Sequence, residues 1–213
     1  MKNIVKKKES TPVNMKDRII KESIQLFLQK GFKGTSIQNI TDALGITKGA
    51  FYWHFKSKDE LLNTIIEKFE KELINGLLEH MKGFEGDFVK TFREYHKYIN
   101  EYARNNGELC VLSTTLAAEI SGSGTSAEKK IKAVYSKYIG FINSLLEEGK
   151  KEKFFSDTFD TLLNAHIILA IHNGILLQWF MNRKTIDGPS LARTYRDVIL
   201  YGMINRSNKK KLI

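Results

Sequence analysis

TSIQNITDALGITKGAFYWHFKSKDELL, residues 35–62, reads as three helix starts separated by two turns. Thr35-Ser36-Ile37-Gln38 has the spacing of a capping box, with Thr35 as the cap and Gln38 reaching back to it. Ile37, Ile40 and Leu44 form one apolar face behind that start, and Ala43 leaves room for a neighbouring helix. Gly45 supplies the left-handed residue that ends the helix. Thr47 caps a short helix over Lys48–His54, and Ser57-Lys58-Asp59-Glu60 is a second capping box. It opens a helix whose apolar positions Leu61, Ile65, Phe69, Leu73 and Leu77 carry it to about Met81. Two helices joined by a tight turn at Gly45-Ile46 make a helix-turn-helix unit.

Outward from this unit the chain reads as all-α. A first helix runs from Asn14 to Lys30, with Ile20, Ile24, Phe27 and Leu28 on one stripe, and Gly31 and Gly34 end it. Residues 1–13 form a basic tail. Residues 14–62 are expected to form a three-helix domain, with helix 4 continuing to about residue 81 as a connector. Residues 63–205 are assigned to a helical ligand-binding and dimerisation domain, and Lys82–Asp87, with two glycines, reads as the break between the N-terminal part with its connector helix and the larger helical body. The body is read as helices near 87–104, 107–120, 126–149, 158–182 and 189–205. Asp187-Gly188-Pro189 marks the last start, Ser121–Ser126 (SGSGTS) is read as a flexible loop, and 206–213 is a second basic tail. The chain has only two prolines, Pro12 and Pro189, and no alternating β-branched run that would make a strand.

The formal net charge of +10 is unevenly placed. Residues 1–60 carry 12 Lys/Arg against 6 Asp/Glu, residues 61–204 carry 18 of each, and the tail adds Arg206, Lys209, Lys210 and Lys211. A basic N-terminal module suits a polyanionic partner, whereas the tails alone are equally well read as solubilising. A single cysteine, Cys110, excludes an internal disulfide and suits a reducing cytoplasm. MKNIVKKKES leads into no apolar segment, so it is not a secretory signal. Leu162–Phe180 is interrupted by Asn164, His166, His172, Asn173 and Gln178, so no membrane span is expected.

The second helix of such a unit is the one offered to a DNA major groove. A helix of about seven residues is ~10 Å long. Lys48 can donate to guanine O6 or N7, Gly49 lets the backbone approach closely, and Tyr52, one turn on, can donate to a phosphate. His54 and Lys58 add donors at the far edge. The same shape also occurs as a plain packing unit, and the helical wheel does not settle which of the aromatics Phe51 and Tyr52 faces the core.

Two runs remove much of that ambiguity. Gly45-Ile46-Thr47-Lys48-Gly49-Ala50-Phe51-Tyr52-Trp53-His54-Phe55-Lys56-Ser57-Lys58-Asp59-Glu60-Leu61-Leu62, with the preceding Gly31-Phe32-Lys33-Gly34-Thr35-Ser36-Ile37-Gln38-Asn39-Ile40, resembles the tetracycline-repressor (TetR) family. With the first helix, the resemblance covers residues 14–62. It implies a three-helix DNA-binding domain, a helical effector domain and a homodimer on a (pseudo)palindromic double-stranded operator. Position by position, it implies that Ser36, Thr47, Tyr52, His54 and Lys58 contact phosphate. Gln38, Lys48 and Gly49 would read bases, and Phe51 and Phe55 would be core.

In the body, aromatics recur at helical spacing, which fits either a core stripe or the wall of an effector pocket. The candidate pocket residues are Phe92, Tyr95, Tyr138, Phe141, His172, Asn173, Leu176 and Trp179, and the effector expected is a small, largely apolar or aromatic molecule. The last two helices carry more apolar residues than one buried face needs. Ile168, Ile171, Ile175, Val198 and Ile199 are the candidate dimer interface. No metal-ligand spacing and no cofactor motif is found, and no nucleophile–base grouping supports catalysis. The function expected is therefore a DNA-binding transcriptional regulator, a repressor released by its effector. The alternatives are an enzyme acting on a hydrophobic small molecule in the same body, or a non-specific nucleic-acid-binding protein.

Overall fold

The structure, a computed structural model, describes residues 14–204. The basic tails 1–13 and 206–213 lie outside the described residues, as does the last residue of the helix expected over 189–205. Described residues are helices and their connections, with no strand among them. They separate into two compact units that divide between Leu61 and Leu62.

The first unit holds α1 (Met15–Gly34), α2 (Ile37–Leu44), α3 (Lys48–His54) and the start of α4 (Lys58–Phe69). α1 is capped by the Asn14 side chain, which accepts from Lys16 N. It loses helical geometry at Gly31, where φ is 73°. Its buried stripe is Ile19, Ile20, Ile24, Leu26 and Phe27, while Leu28 is only half-buried. α2 starts one residue later than its sequence suggests. Ser36, not Thr35, is the cap, and its box partner is Asn39, not Gln38. The Thr35 hydroxyl is buried and donates to the carbonyls of Gly31 (2.8 Å) and Leu26 (3.3 Å), so it serves the end of α1. Gly45 sits at φ 64°, ψ 35°, the left-handed position that lets its N–H and that of Ile46 close the end of α2.

In the second unit α4 leads through one π-helical stretch, Glu70–Asn75, into α5 (Gly76–Met81). The stripe Leu61, Ile65, Phe69, Leu73, Leu77 advances by four residues each time, and every member is buried. On an α-helix such steps drift by roughly 40° each. The wider π turn takes up that drift and keeps Leu73 and Leu77 inside.

The body is α6 (Phe88–Glu119), α7 (Ser126–Lys151), α8 (Thr161–Met181) and α9 (Gly188–Met203). α6, α7 and α8 pack against one another, and α9 packs on α6 and α8. The two helices expected over 87–120 are a single helix kinked at Asn106, whose side chain donates to the Tyr102 carbonyl. Asp87, Thr125, Asp160 and Asp187 cap the four starts. The SGSGTS loop is pinned: the Glu128 carboxylate accepts from Gly122 N and Gly124 N and pairs with Lys132. Lys132 and those two amides hold the Glu128 pKa down to about 2.

Candidate DNA interface and effector cavity

α3 presents one face to solvent and one to the core. Thr47 caps it by accepting from Ala50 N at 3.1 Å. Phe51 and Phe55 are sealed, with ring centroids 5.8 Å apart. That settles the orientation the wheel left open: Phe51 points in, and Tyr52 points out at 51% exposure. Lys48 and Gly49 are exposed, and His54 is half-buried. Gln38 on α2 is also exposed, its amide donating to the Asp42 carboxylate. An added Cβ at Gly49 would meet only the Thr47 hydroxyl, at an ordinary 3.6 Å. Nothing within the protein therefore requires glycine there.

Two residues of this face are already engaged within the protein. The Lys58 ammonium donates to the carbonyls of Phe32 and Thr35, each at 2.7 Å, and lies 4.3 Å from the Phe32 ring centroid. Two of its three N–H groups thus tie the loop before α2, leaving one for an anion. Lys58→Met should lower the stability of the full chain by about 2 kcal/mol, since it removes a charged donor from two part-buried carbonyls, of which Phe32 O keeps the Thr35 N–H and Thr35 O keeps no such donor. Denaturant unfolding checks this, and an unchanged midpoint would show that water replaces the ammonium at no cost. Ser36 is exposed, but its hydroxyl is engaged with Asn39, donating to Oδ1 and accepting from the amide. Sequence reasoning passed over Trp53, which is 82% exposed with the His54 ring edge-on at 4.7 Å. The signal was present in Phe51-Tyr52-Trp53: three consecutive aromatics on a short helix cannot all face one core.

The body contains a cavity of about 770 Å³ lined by α6, α8 and α9. Ala103, Ile175, Leu176, Trp179 and Leu191 supply its apolar wall. Lys90, Arg93, Lys97, Arg104, Arg193 and Arg196 also line it, against two acids, Glu94 and Glu101. Glu94 accepts from His80 at 2.8 Å and pairs with Lys97, and these contacts hold its pKa below the usual carboxylate value. A second chamber, of about 70 Å³, shares the wall Asn100, Ala103, Ile175 and Leu176 with the first.

The expected pocket residues divide among these spaces. Leu176 and Trp179 line the large cavity, and Tyr138, His172, Asn173 and Leu176 line the small one. Phe92, Tyr95 and Phe141 line neither. Phe92 and Tyr95 are fully buried core side chains, and Phe141 packs on the Tyr95 ring with centroids 5.6 Å apart. The basic lining was not foreseen, because its residues are scattered through α6 and α9 of a segment with no net charge.

The dimer expectation also needs correcting. Ile168 and Ile199 are buried within their own chain, at 1% and 6% exposure, and Ile175 is a cavity wall. Ile171 is half-buried, while Val198 is 66% exposed. α8 is apolar on every side, so periodicity could not choose its free face. Its exposed residues are Leu162, Leu163, Ile167, Ala170, Gly174 and Met181, with His166 and Gln178 among them, and this apolar excess is why α8 can pass as a membrane span by length and composition although only 28% of that window is buried. Among the described residues no group of three or more His, Cys, Asp or Glu is placed to hold a metal ion.

A capped helix-turn-helix joined in one chain to a cavity-bearing helical body defines a DNA-binding regulator of the one-component kind. Residues 19–65 match the family model of the bacterial regulatory proteins of the tetR family, and residues 60–202 that of the YsiA-like C-terminal region. The chain belongs to the tetR family of transcriptional regulators, with a DNA-binding N-terminal region and a ligand-binding C-terminal region. It is 25% identical over 187 residues to the HTH-type transcriptional regulator AcrR of Shigella flexneri, covering 87% of each chain. The crystal structure of the MbdR regulator from Azoarcus sp. CIB superimposes with a TM-score of 0.82 at 25% identity, over 90% of this chain and 100% of that one. The FadR regulator of Bacillus subtilis, solved with stearoyl-CoA, shares the fold with a TM-score of 0.71 at 17% identity, over 88% of this chain and 98% of that one.

Proposed function

We propose that the protein is a cytoplasmic homodimeric repressor whose α3 reads an operator half-site, and that an anionic, largely apolar small molecule releases it. The observation that carries the DNA reading is the outward face of α3, with Lys48, Gly49 and Tyr52 exposed above a sealed Phe51 and Phe55. On this reading Gln38, Lys48 and Gly49 meet base edges. Tyr52, His54, Thr47 and Ser36 hold phosphates, and Lys58 adds its one remaining N–H. Gly49→Ala is the sharpest small test. The added methyl has room in the free protein, so stability should hold, while affinity for DNA from the chain's own promoter region should fall about tenfold. Fluorescence anisotropy measures this; unchanged affinity would take position 49 out of the interface.

The second copy is assigned to the free apolar face of α8 with Val198 and Tyr201 of α9. Ala170 and Gly174 in its middle permit close helix approach, and a four-helix bundle between two chains would bury the face. A dimer also suits a palindromic operator, with half-sites roughly 34–36 Å apart. Effector binding would favour a state whose recognition helices no longer match that spacing.

The cavity shifts the effector expectation from merely apolar or aromatic to amphiphilic. Six basic side chains against two acids favour an anionic group beside an apolar body. The stearoyl-CoA held by the B. subtilis FadR has that character, which supports the class without naming this chain's compound.

A further inference from the structure

The small chamber differs in kind from the cavity beside it. No Lys, Arg, Asp or Glu lines it; its polar lining includes Tyr138, His172 and Tyr195. Its volume is enough for a couple of waters, or for the end group of a ligand. The Tyr95 hydroxyl donates to that of Tyr138 at 3.1 Å, and the two phenol oxygens lie 3.3 and 3.4 Å from His172 Nδ1. Burial pushes the His172 pKa down to about 3, so the ring is neutral and carries one proton.

Proton counting places that proton. If Nδ1 held it, the last phenol hydrogen of the pair would have no acceptor within the triad. With Nδ1 bare, Tyr95 donates to Tyr138, Tyr138 donates to His172, and every phenol hydrogen is used. Nε2 is then the N–H, and Nε2 has no partner. The buried hydroxyl of Tyr195 has none either, and the two rings meet edge to face with centroids 5.1 Å apart. His96, fully buried, backs both rings at 5.4 and 5.0 Å. Tyr135 also lines the chamber, its hydroxyl facing Thr114, Ser113 and Asn173 without hydrogen-bond alignment. Buried polar groups without partners are uncommon and cost free energy, and a ligand oxygen would recover it.

We propose that this chamber is the specificity compartment of the effector site: it takes a neutral oxygen, a hydroxyl or ketone carbonyl, at the far end of an apolar ligand whose anionic group stays in the basic cavity. The assignment rests on the large cavity being the effector site. His172 Nε2–H donates to the ligand oxygen, and the Tyr195 hydroxyl donates to it or accepts from it. A second carboxylate is disfavoured, because no cation lines the chamber to replace its hydration.

Calorimetric titration of the full chain tests this with octanoate, dodecanoate and hexadecanoate, each beside its ω-hydroxy acid and its α,ω-diacid. At the chain length that spans the two spaces, the hydroxy acid should bind about tenfold tighter than its parent, and the diacid weaker than both. Tyr195→Phe, which keeps the ring and its packing, should erase most of that advantage and leave the parent acid's affinity alone; His172→Gln should do likewise if it folds. Parent acids that bind with no hydroxyl preference at any length would overturn the compartment and leave the effector reading standing. An equal preference in Tyr195→Phe would overturn the compartment as assigned. Failure of every acid to bind would overturn both the anionic effector and the compartment.

Discussion

Gly174→Arg is expected to turn a dimer into a monomer and to weaken operator binding by at least about a hundredfold. Gly174 is exposed on α8, and a Cβ added there would touch nothing in the chain. The monomer therefore has room for the arginine, at roughly the cost or gain of any glycine replacement in an exposed helix. Against a second copy, the same side chain would put a charge into an apolar helix crossing, where desolvation is costly. On the proposed dimer, operator binding would depend on the pair, because two linked half-site contacts reinforce each other, by commonly ~10²–10⁴ in affinity over one alone. Sedimentation or light scattering reads the mass, and anisotropy on the same samples reads the affinity. Ile167→Glu, on the same face, guards against one arginine bending away. If both variants stay dimeric, the subunits pair through some other surface.

The residues also show why some features were legible in advance. Gly45, Thr47 and Ser57 act through their own backbone neighbourhood, so their spacing alone located α2, α3 and α4. The slip at Thr35-Ser36 has a tertiary cause. Either side chain can cap, and what decides is that Thr35 is drawn inward to the carbonyls of Gly31 and Leu26. Tyr52 and Phe51 could not be told apart until packing chose between them. The chamber at His172 depends on four residues brought together from α6, α7, α8 and α9, namely Tyr95, Tyr138, His172 and Tyr195. Only their burial and the unmatched atoms of His172 and Tyr195 distinguish them from an ordinary aromatic core, and neither is visible along the chain. The basic lining of the large cavity was hidden for a related reason, since helix packing gathers charges that sequence disperses among acids.

The largest effect at the DNA itself is expected from Lys48. Its side chain leaves the exposed start of α3, where a recognition helix meets base edges, and a lysine–guanine pair discriminates by roughly 1–3 kcal/mol. Lys48→Ala should therefore cost about tenfold to a hundredfold on the specific site and much less on unrelated DNA. Tyr52→Phe removes a phosphate donor instead. It should weaken all duplexes by a similar factor, because phosphate contacts carry no sequence information. Both positions are exposed, and Tyr52→Phe keeps the ring that meets Phe51 edge to face with centroids 5.7 Å apart, so neither change should disturb the fold.

One measurement meets the central claim directly: anisotropy titration of DNA from the chain's own promoter region against a scrambled duplex, over a series of salt concentrations, for the native protein and Lys48→Ala. The predicted result is binding that prefers the promoter DNA, falls steeply with salt as phosphate contacts require, and loses most of its preference in Lys48→Ala. Equal affinity for both duplexes, or a preference that survives Lys48→Ala intact, would contradict the reading of α3 as the element that recognises the operator.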